Sequence, residues 1–394
     1  MPPALMHTYA RMPISFTHGE GSYLVDSSGR RYLDGIAGIA VNGLGHAHPA
    51  FTAAITEQAS RVIHTSNLYR IDVQEALAEQ LNRIGAMDSC FFCNSGAEAN
   101  EAAIKLARLY GHQRGIKQPS IIVMEQAFHG RTLATLSATG NRKIQAGFEP
   151  LVAGFIRAPL NDFDAIKQIA RNNSNVVAVM LEPIQGEGGI RLAEPQYLKQ
   201  LRQLCDQNQW LLMLDEVQTG NGRTGSYFAY QQLDVVPDVV TTAKGLGNGV
   251  PIGACLARGA AADTFAPGHH GSTYGGNPLA CAAGLAVTQT IEQQSLSSRA
   301  SSLGTSICSQ LATLLKDNPL LVDIRGQGLM IGIELSTDCS QLVSQALDAG
   351  LLINVTAGNT IRLLPPLVMT EDQAALLSAG VAELVNNLAD SLIN

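Results

Sequence analysis

Asp215 directly follows the apolar stretch Trp210–Leu214, which is typical of a buried β-strand. A carboxylate at the end of a buried strand is costly unless it meets a cation or hydrogen-bond donors. Asp215 is therefore a candidate partner for a positively charged group. A helix N-cap or a structural ion pair would satisfy the same carboxylate.

Lys244 lies between the next candidate strand, Val239–Thr242, and the glycine-rich stretch Gly245–Gly249. It is one of only seven lysines in the chain. A lysine in a partly desolvated site titrates low enough to attack a carbonyl, whereas a solvated loop lysine does not, and both interpretations fit Lys244 by itself. It is not the lysine of a phosphate-binding P-loop, because Ala243 precedes it and Gly245 follows it.

A third group, Asn94–Ala97, joins a predicted strand to a predicted helix. Small residues at this point leave the first amides of the helix free to bind a phosphate, although glycine-rich turns before helices are common. Together, an acid, a lysine and a phosphate-binding turn match the needs of one cofactor, pyridoxal phosphate. This cofactor requires a lysine for its aldehyde, an acid for its pyridine nitrogen and an anion site for its phosphate.

The stretch Gly220–Gly225 matches a different pattern, the dinucleotide fingerprint G-x-G-x-x-G. That fingerprint requires a tight turn directly after a strand and a helix directly after the glycines. Here Asp215–Thr219 intervene, and no helical pattern begins after Gly225. A nicotinamide oxidoreductase is therefore the less favoured alternative.

The elements that position these groups alternate between strands and helices, as in a mainly parallel sheet. Ligands of such sheets bind at the carboxyl ends of the strands, where all three groups lie. A helix is predicted at Ala97–Leu109. The predicted strands are Ser89–Cys93, Ile121–Glu125, Val176–Leu181, Leu211–Leu214 and Val239–Thr242.

Beyond about residue 290 the pattern changes to a long helix, Leu296–Leu315, then short strand-like segments and a C-terminal helix. A hairpin with a glycine-containing turn is predicted within Tyr23–Asp34. We therefore predict an α/β fold with a large, mainly parallel-sheet domain at residues 41–292 and a smaller α+β domain at residues 293–394. Residues 1–40 are expected to pack with the small domain.

Composition limits the classes of function. The chain of 394 residues is 46% hydrophobic with a formal net charge of -7, which is typical of a well-packed enzyme and disfavours nucleic-acid binding. No apolar stretch is long enough to span a membrane, and Met1–Phe16 lacks the apolar core of a signal peptide. Seven cysteines in apolar surroundings favour a reduced, cytoplasmic protein.

Two pairs of residues have the spacing of metal or redox sites. His46 and His48 lie in a turn that precedes a helical pattern. Cys90 and Cys93 lie in an apolar run, where strand alternation sends their thiols to opposite faces. We predict no metal site and no redox pair.

Several blocks of residues together resemble the class III (subgroup II) fold-type I aminotransferases over nearly the full length of the chain. In order, they are Phe92–Glu101, Phe128–Thr132, Glu182–Gly189, Leu214–Gly220, Ala243–Leu246, Gly271–Pro278 and Arg362–Leu367. The resemblance implies a pyridoxal-phosphate-dependent transferase of fold type I. It also implies an obligate homodimer with active sites at the subunit interface.

The resemblance implies roles for residues around the cofactor. Lys244 carries the cofactor's aldehyde as a Schiff base and then moves the reacting proton, while Asp215 pairs with the pyridine nitrogen. Phe128 and Val217 cover the two faces of the ring, and Gln218 contacts its hydroxyl. The other implied cofactor-binding residues are Ser95, Gly96, Ala97, Glu216 and the partner subunit's Thr273.

For substrates, the resemblance implies that Arg131 binds the α-carboxylate of acetylornithine and that Arg362 binds a carboxylate of glutamate and 2-oxoglutarate. A guanidinium forms two parallel hydrogen bonds to such a planar anion. Glu187 is expected to pair with Arg362 when the long amino donor is bound and to move away for glutamate. Ser272 completes the implied substrate-binding residues. From the residues alone, Arg131 and Glu187 could equally form surface ion pairs.

The segments Asn94–Ala99 and His64–Tyr69 are similar to the acetylornithine and succinylornithine branch of the family. The expected reaction is ping-pong transfer of the terminal amino group of N2-acetyl-L-ornithine to 2-oxoglutarate. It gives N-acetyl-L-glutamate 5-semialdehyde and L-glutamate, a step of arginine biosynthesis. Succinylornithine, succinyldiaminopimelate, ornithine and 4-aminobutyrate are alternative donors within the class. A non-catalytic binding protein of this fold would be expected to lack Lys244 or Asp215, and both are present.

Overall fold

The computed structural model describes residues 4–393. In this part of the chain the strands are β1 (Phe16–Glu20), β2 (Tyr23–Asp26), β3 (Arg31–Asp34), β4 (Ser89–Cys93), β5 (Ser120–Met124), β6 (Phe155–Ala158), β7 (Val176–Leu181), β8 (Ile184–Gln185), β9 (Arg191–Leu192), β10 (Leu211–Asp215), β11 (Val239–Thr242), β12 (Gly253–Ala257), β13 (Leu321–Gln327), β14 (Met330–Leu335), β15 (Leu351–Leu352), β16 (Asn354–Thr356) and β17 (Thr360–Leu363). The α-helices are α1 (Ala37–Ala40), α2 (Pro49–Arg61), α3 (Asp72–Gly85), α4 (Gly96–Gln113), α5 (Leu133–Ala138), α6 (Arg142–Gln145), α7 (Phe163–Asn172), α8 (Pro195–Asn208), α9 (Pro278–Gln293), α10 (Leu296–Leu314), α11 (Leu342–Asp348) and α12 (Glu371–Ile393).

The largest sheet within residues 4–393 has seven strands in the order β4-β12-β11-β10-β7-β5-β6. β11, β10, β7, β5 and β6 are parallel, whereas β12 is antiparallel to both β11 and β4. Every residue of β7 and β10 is buried, as expected of strands that are covered on both faces. The sheet confirms the predicted strands and the mainly parallel α/β fold.

Two strands of this sheet escape the sequence pattern. β12 consists largely of small residues with weak strand preference, and β6 is a short strand at the edge of the sheet. Helix α4 is also longer than predicted, because it continues past Gly111. A Cβ atom at Gly111 would lie 2.6 Å from Val177, so only glycine allows the helix to approach the sheet this closely.

Two four-stranded sheets in the described chain lie outside the large one, with the orders β13-β14-β17-β16 and β1-β2-β3-β15. The predicted hairpin is formed by β2 and β3, with Gly29 at φ +86° in its turn. β15 then pairs in parallel with β3, with Leu351 opposite Leu33. This pairing supports the division that we propose, in which the N-terminal segment of residues 1–40 packs with a small domain of residues 293–394 beside a large domain of residues 41–292.

A hydrophobic core runs from the seven-stranded sheet through α9 and α10 to α12. Among residues 4–393, no helix combines the length and the apolar character that crossing a membrane requires.

Candidate active site

The parallel strands β10 and β11 bring Asp215 and Lys244 to the same edge of the sheet. Asp215 lies opposite Thr241, and Lys244 follows Thr241 by three residues. Lys244 has a left-handed backbone with φ +45° and begins a 3-10 turn. Such a conformation in a residue other than glycine is costly, and functional sites are where proteins keep it.

Lys244 is partly buried, and its amine forms neither a hydrogen bond nor an ion pair with any residue in 4–393. Burial lowers the pKa of Lys244 below its usual range, and the positive charge of Arg362 lowers it further. The carboxylates of Glu187, Asp215 and Glu182 act in the opposite direction but do not reverse the shift. The environment therefore favours the uncharged, nucleophilic amine.

Asp215 is held in one orientation by three hydrogen-bond donors. Its Oδ2 accepts hydrogen bonds from Asn100 Nδ2 and His129 Nδ1, each at 2.7 Å, and its Oδ1 accepts one from the Val217 amide at 3.1 Å. Burial opposes protonation of His129, but the hydrogen bond and the charge of Asp215 prevail and raise its pKa. These bonds fix the orientation of the Asp215 carboxylate, as the role of partner to a protonated pyridine nitrogen requires.

Asn100 and His129 were not among the residues predicted from the sequence. Asn100 is a polar residue on the buried face of α4, and this position was a usable signal. Its own amide orientation is fixed because Thr241 Oγ1 donates to Asn100 Oδ1 at 2.7 Å, which leaves the amide nitrogen facing Asp215. His129 had no such signal, because only the folded chain brings it to Asp215.

The predicted phosphate-binding turn caps α4. Ser95 Oγ accepts a hydrogen bond from the Glu98 amide at 3.2 Å, while no described residue accepts one from the amides of Gly96 or Ala97. Free amides at the start of a long helix form an anion site. A Cβ atom at Gly96 would lie 2.6 Å from Val217 Cγ1, so the turn and the residue expected under the ring are adjacent. Lysine, acid and anion site together fit pyridoxal phosphate.

Phe128, expected on the other face of the ring, is positioned by Glu182. Glu182 Oε1 accepts a hydrogen bond from the Phe128 amide at 2.8 Å, and its Oε2 accepts one from the Gly186 amide at 3.2 Å. Burial raises the pKa of Glu182 to about 7. Glu182 thereby ties Phe128 to the loop that carries Glu187, a role that sequence reasoning missed.

Arg362 and Glu187, the predicted substrate pair, are brought together. Arg362 is only 1% exposed, and its Nη1 lies 2.6 Å from Glu187 Oε1 and 3.3 Å from Gln218 Oε1. Asn354, which the sequence analysis did not select, holds the other side of the guanidinium from the neighbouring strand β16. Arg131 is exposed, with its guanidinium carbon 5.6 Å from the centre of the Phe128 ring.

Ser272 and Thr273 follow the large sheet on an external loop. Ser272 Oγ lies 3.3 Å from Asn94 Nδ2, next to the phosphate-binding turn. Thr273 is exposed and has no hydrogen bond to the described residues. Its contribution to a partner subunit's site remains a proposal.

Glu216 does not face the candidate cofactor site. Its carboxylate is fully buried and accepts hydrogen bonds from Thr219 Oγ1 at 2.7 Å and from the amides of Ala229 and Tyr230 at 2.9 and 3.0 Å. Adjacent residues at a strand end point in opposite directions, so Asp215 and Glu216 cannot both meet one ring. We infer that Glu216 holds the loop after β10 in place.

The stretch Gly220–Gly225, which matches the dinucleotide fingerprint, has a structural role. Gly222 and Gly225 occupy left-handed turns, and within the described residues no α-helix begins directly after them; a single 3-10 turn, Ala229–Gln232, follows. Arg223 between them is buried and donates to the carbonyl oxygens of Leu329 and Pro365.

His46 Nε2 pairs with Asp34 Oδ2 at 2.8 Å, and the seven cysteines are free thiols. Residues 4–393 contain no group of His, Cys, Asp or Glu that could hold a metal ion.

Arg362→Leu is expected to raise the pKa of Lys244, because it removes a like charge and leaves Glu187 unpaired. Only the uncharged amine attacks an aldehyde. The rate at which cofactor-free protein captures pyridoxal phosphate should therefore rise with pH in both proteins, with a midpoint at higher pH in the variant. Stopped-flow absorbance across a pH series measures both midpoints. A midpoint that stays put or moves to lower pH would contradict this influence of Arg362.

Comparison with known proteins agrees with this geometry. The family profile for aminotransferase class-III matches residues 5–385. Acetylornithine aminotransferase from Nitrosomonas europaea is 54% identical over 389 residues, covering 99% of both chains. N-acetylornithine aminotransferase from Stenotrophomonas maltophilia superposes with a TM-score of 0.85 at 36% identity, covering 97% of this chain and 98% of that one.

A more distant relative agrees in fold. Ornithine aminotransferase from Toxoplasma gondii superposes with a TM-score of 0.94 at 32% identity, covering 98% of this chain and 94% of that one. Another structure of that enzyme is described with pyridoxal phosphate at its active site. The chain therefore belongs to the class-III aminotransferases, enzymes of fold type I that depend on pyridoxal phosphate.

Proposed function

We propose that the protein transfers the terminal amino group of N2-acetyl-L-ornithine to 2-oxoglutarate, giving N-acetyl-L-glutamate 5-semialdehyde and L-glutamate. The observation that carries this proposal is the ion pair between the buried Arg362 and the partly exposed Glu187, 2.6 Å apart and close enough to Lys244 to influence its charge. An enzyme with two unlike substrates needs such a carboxylate site that can be neutralised when the amino donor is bound. Curated relatives at 51% and 54% identity are acetylornithine aminotransferases.

The side chains divide the chemistry between them. Bound pyridoxal phosphate supplies an aldehyde that condenses with amines and a ring that accepts electrons. The Lys244 amine would hold the cofactor through its aldehyde and then move the reacting proton between the substrate carbon and the cofactor. Asp215 keeps the ring nitrogen protonated, because Asn100 and His129 prevent its carboxylate from turning away.

Substrate binding falls to the two arginines. Arg131, exposed beside Phe128, binds the α-carboxylate of acetylornithine. Arg362 stays neutralised by Glu187 while this donor is bound, and it binds a carboxylate of 2-oxoglutarate once Glu187 leaves. Acylation removes the positive charge of the donor's α-amine, whereas the free α-ammonium of ornithine would lie near Arg131.

A comparison of amino donors tests the substrate. We expect kcat/KM to be highest for acetylornithine or succinylornithine, with ornithine and 4-aminobutyrate at least about tenfold lower, a difference near 1.4 kcal/mol in transition-state binding. Coupled detection of glutamate at fixed 2-oxoglutarate provides the measurement. Ornithine or 4-aminobutyrate ahead by more than about tenfold would refute the proposed donor.

We also propose a cytoplasmic homodimer. Large apolar side chains are exposed close to the phosphate-binding turn, with Leu68 at 86%, Tyr69 at 70% and Tyr274 at 62% exposure. An apolar patch of this kind is typical of a subunit interface. Tyr274 directly follows Thr273, so a partner placed on this patch would also meet the residue that we propose to be shared between subunits.

A further inference from the structure

We propose that Asn354 is a positioning residue that decides which edge of the Arg362 guanidinium a substrate carboxylate can use. The inference rests on the proposed function, in which Arg362 binds a carboxylate of 2-oxoglutarate and glutamate. It explains why Glu187 and that carboxylate must exclude each other, instead of binding Arg362 side by side.

The β16–β17 pairing places Asn354 directly opposite Arg362. Asn354 Oδ1 accepts hydrogen bonds from Arg362 Nε at 3.1 Å and from Nη2 at 2.6 Å. Arginine has only donors, so the amide oxygen and not the amide nitrogen must face it. A guanidinium offers a carboxylate two edges for paired hydrogen bonds that do not face its own side chain stem, Nε–Nη2 and Nη1–Nη2. Asn354 occupies the first.

The second edge includes Nη1, and Glu187 Oε1 lies 2.6 Å from that nitrogen. Gln218 Oε1 also lies on Nη1, at 3.3 Å. Arg362 is 1% exposed, so the guanidinium has no solvent-filled side to which it could turn. A carboxylate that pairs with Arg362 must therefore displace the Glu187 side chain.

The backbone around Glu187 does not need to move in this exchange. Thr356, on the same strand as Asn354, donates from Oγ1 to the carbonyl oxygen of Glu187 at 2.5 Å. The exposed fraction of the Glu187 side chain is 37%, so rotation can bring its carboxylate into solvent. Asn354 and Thr356 together hold the arginine edge and the loop while only the Glu187 carboxylate swings.

A double-mutant cycle on the holoenzyme tests this role, with glutarate as a dicarboxylate that cannot react. Glu187→Gln should tighten glutarate binding by about fivefold in the wild-type background, because it removes the competitor for the edge. In the Asn354→Leu background the same change should tighten binding less than about twofold. A glutarate carboxylate can then use the freed Nε–Nη2 edge, where it does not compete with Glu187. Equal gains in both backgrounds would overturn the proposal.

Half-reaction kinetics add a readout that a merely structural role would not move. In Asn354→Leu, kcat/KM for the 2-oxoglutarate half-reaction should fall about tenfold, because the carboxylate pairs at the wrong edge and displaces the keto carbon from Lys244. The acetylornithine half-reaction should change less than about threefold. Equal losses in both half-reactions would contradict a role at Arg362.

Matched variants keep these outcomes interpretable. Asn359→Leu makes the same change in the turn between β16 and β17, where Asn359 donates only to the Leu335 carbonyl oxygen, and it should leave glutarate affinity unchanged. Asn354→Ala removes the acceptor with less bulk and replaces the leucine variant if that one does not fold. Glutarate affinity that does not fall in Arg362→Leu would refute the proposed function itself, whereas a cycle without coupling but with Arg362-dependent binding would refute only the assignment of Asn354.

Discussion

Lys244→Ala should lose transamination by roughly four orders of magnitude in kcat while the chain still folds. The amine is the one group at this edge of the sheet that can both hold the cofactor's aldehyde and carry a proton to and from the substrate carbon. Its removal costs little stability, because it is partly buried without a hydrogen bond to the described chain and close to the like charge of Arg362.

Single-turnover absorbance with acetylornithine, together with far-ultraviolet circular dichroism, measures both halves of this prediction. Lys199→Ala is the matched control, because Lys199 is a half-exposed residue of α8 that pairs with Asp234 at 3.4 Å. The control should keep full activity. Turnover in Lys244→Ala within a factor of about ten of wild type would remove Lys244 from the mechanism.

Asp215→Asn should lower kcat by about 10³-fold, the second largest effect that we expect. The amide cannot keep a pyridine nitrogen protonated. When its nitrogen takes the place of Oδ2, it also presents a donor to Asn100 and His129, which are donors themselves. The variant is therefore expected to lose both the ring charge and the alignment. Steady-state kinetics under saturating pyridoxal phosphate measures the loss.

A cofactor analogue separates these causes. Pyridoxal phosphate that is methylated on its ring nitrogen carries a permanent positive charge, so it should restore part of the activity to Asp215→Asn and none to Lys244→Ala. If the analogue fails to help while the variant keeps its wild-type melting temperature, the ring nitrogen is not the partner of Asp215.

The parts of the site that the sequence predicted are those that local order determines. Asp215 and Lys244 each lie at the end of a predicted strand, and parallel strands end at one edge, so the pattern places both residues at that edge. The structure adds that β10 and β11 are neighbours. Ser95 and Gly96 lie where a strand meets a helix, so the anion site can be predicted from the sequence in the same way. Most of the seven-stranded sheet follows for the same reason, apart from β12, whose small residues carry little strand preference, and the short edge strand β6.

The missed residues act across long stretches of chain. Asn100 meets Asp215 over 115 positions, and Glu182 meets the Phe128 amide over 54. No local pattern states such a pairing, because it depends on which strands become neighbours. Glu216 is the opposite case, a residue that was predicted to bind the cofactor because of its type and position. In the structure its carboxylate instead faces the amides of Ala229 and Tyr230.

The pairing of β3 with β15 has a consequence for the newborn chain. Leu33 cannot meet Leu351 until the ribosome has added more than three hundred further residues, which at about 5–20 residues per second takes roughly 15 to 60 seconds. For that interval β3 presents an open edge to any other strand that it encounters. The β2–β3 hairpin is thus translated early, but its outer edge is covered only near the end of synthesis.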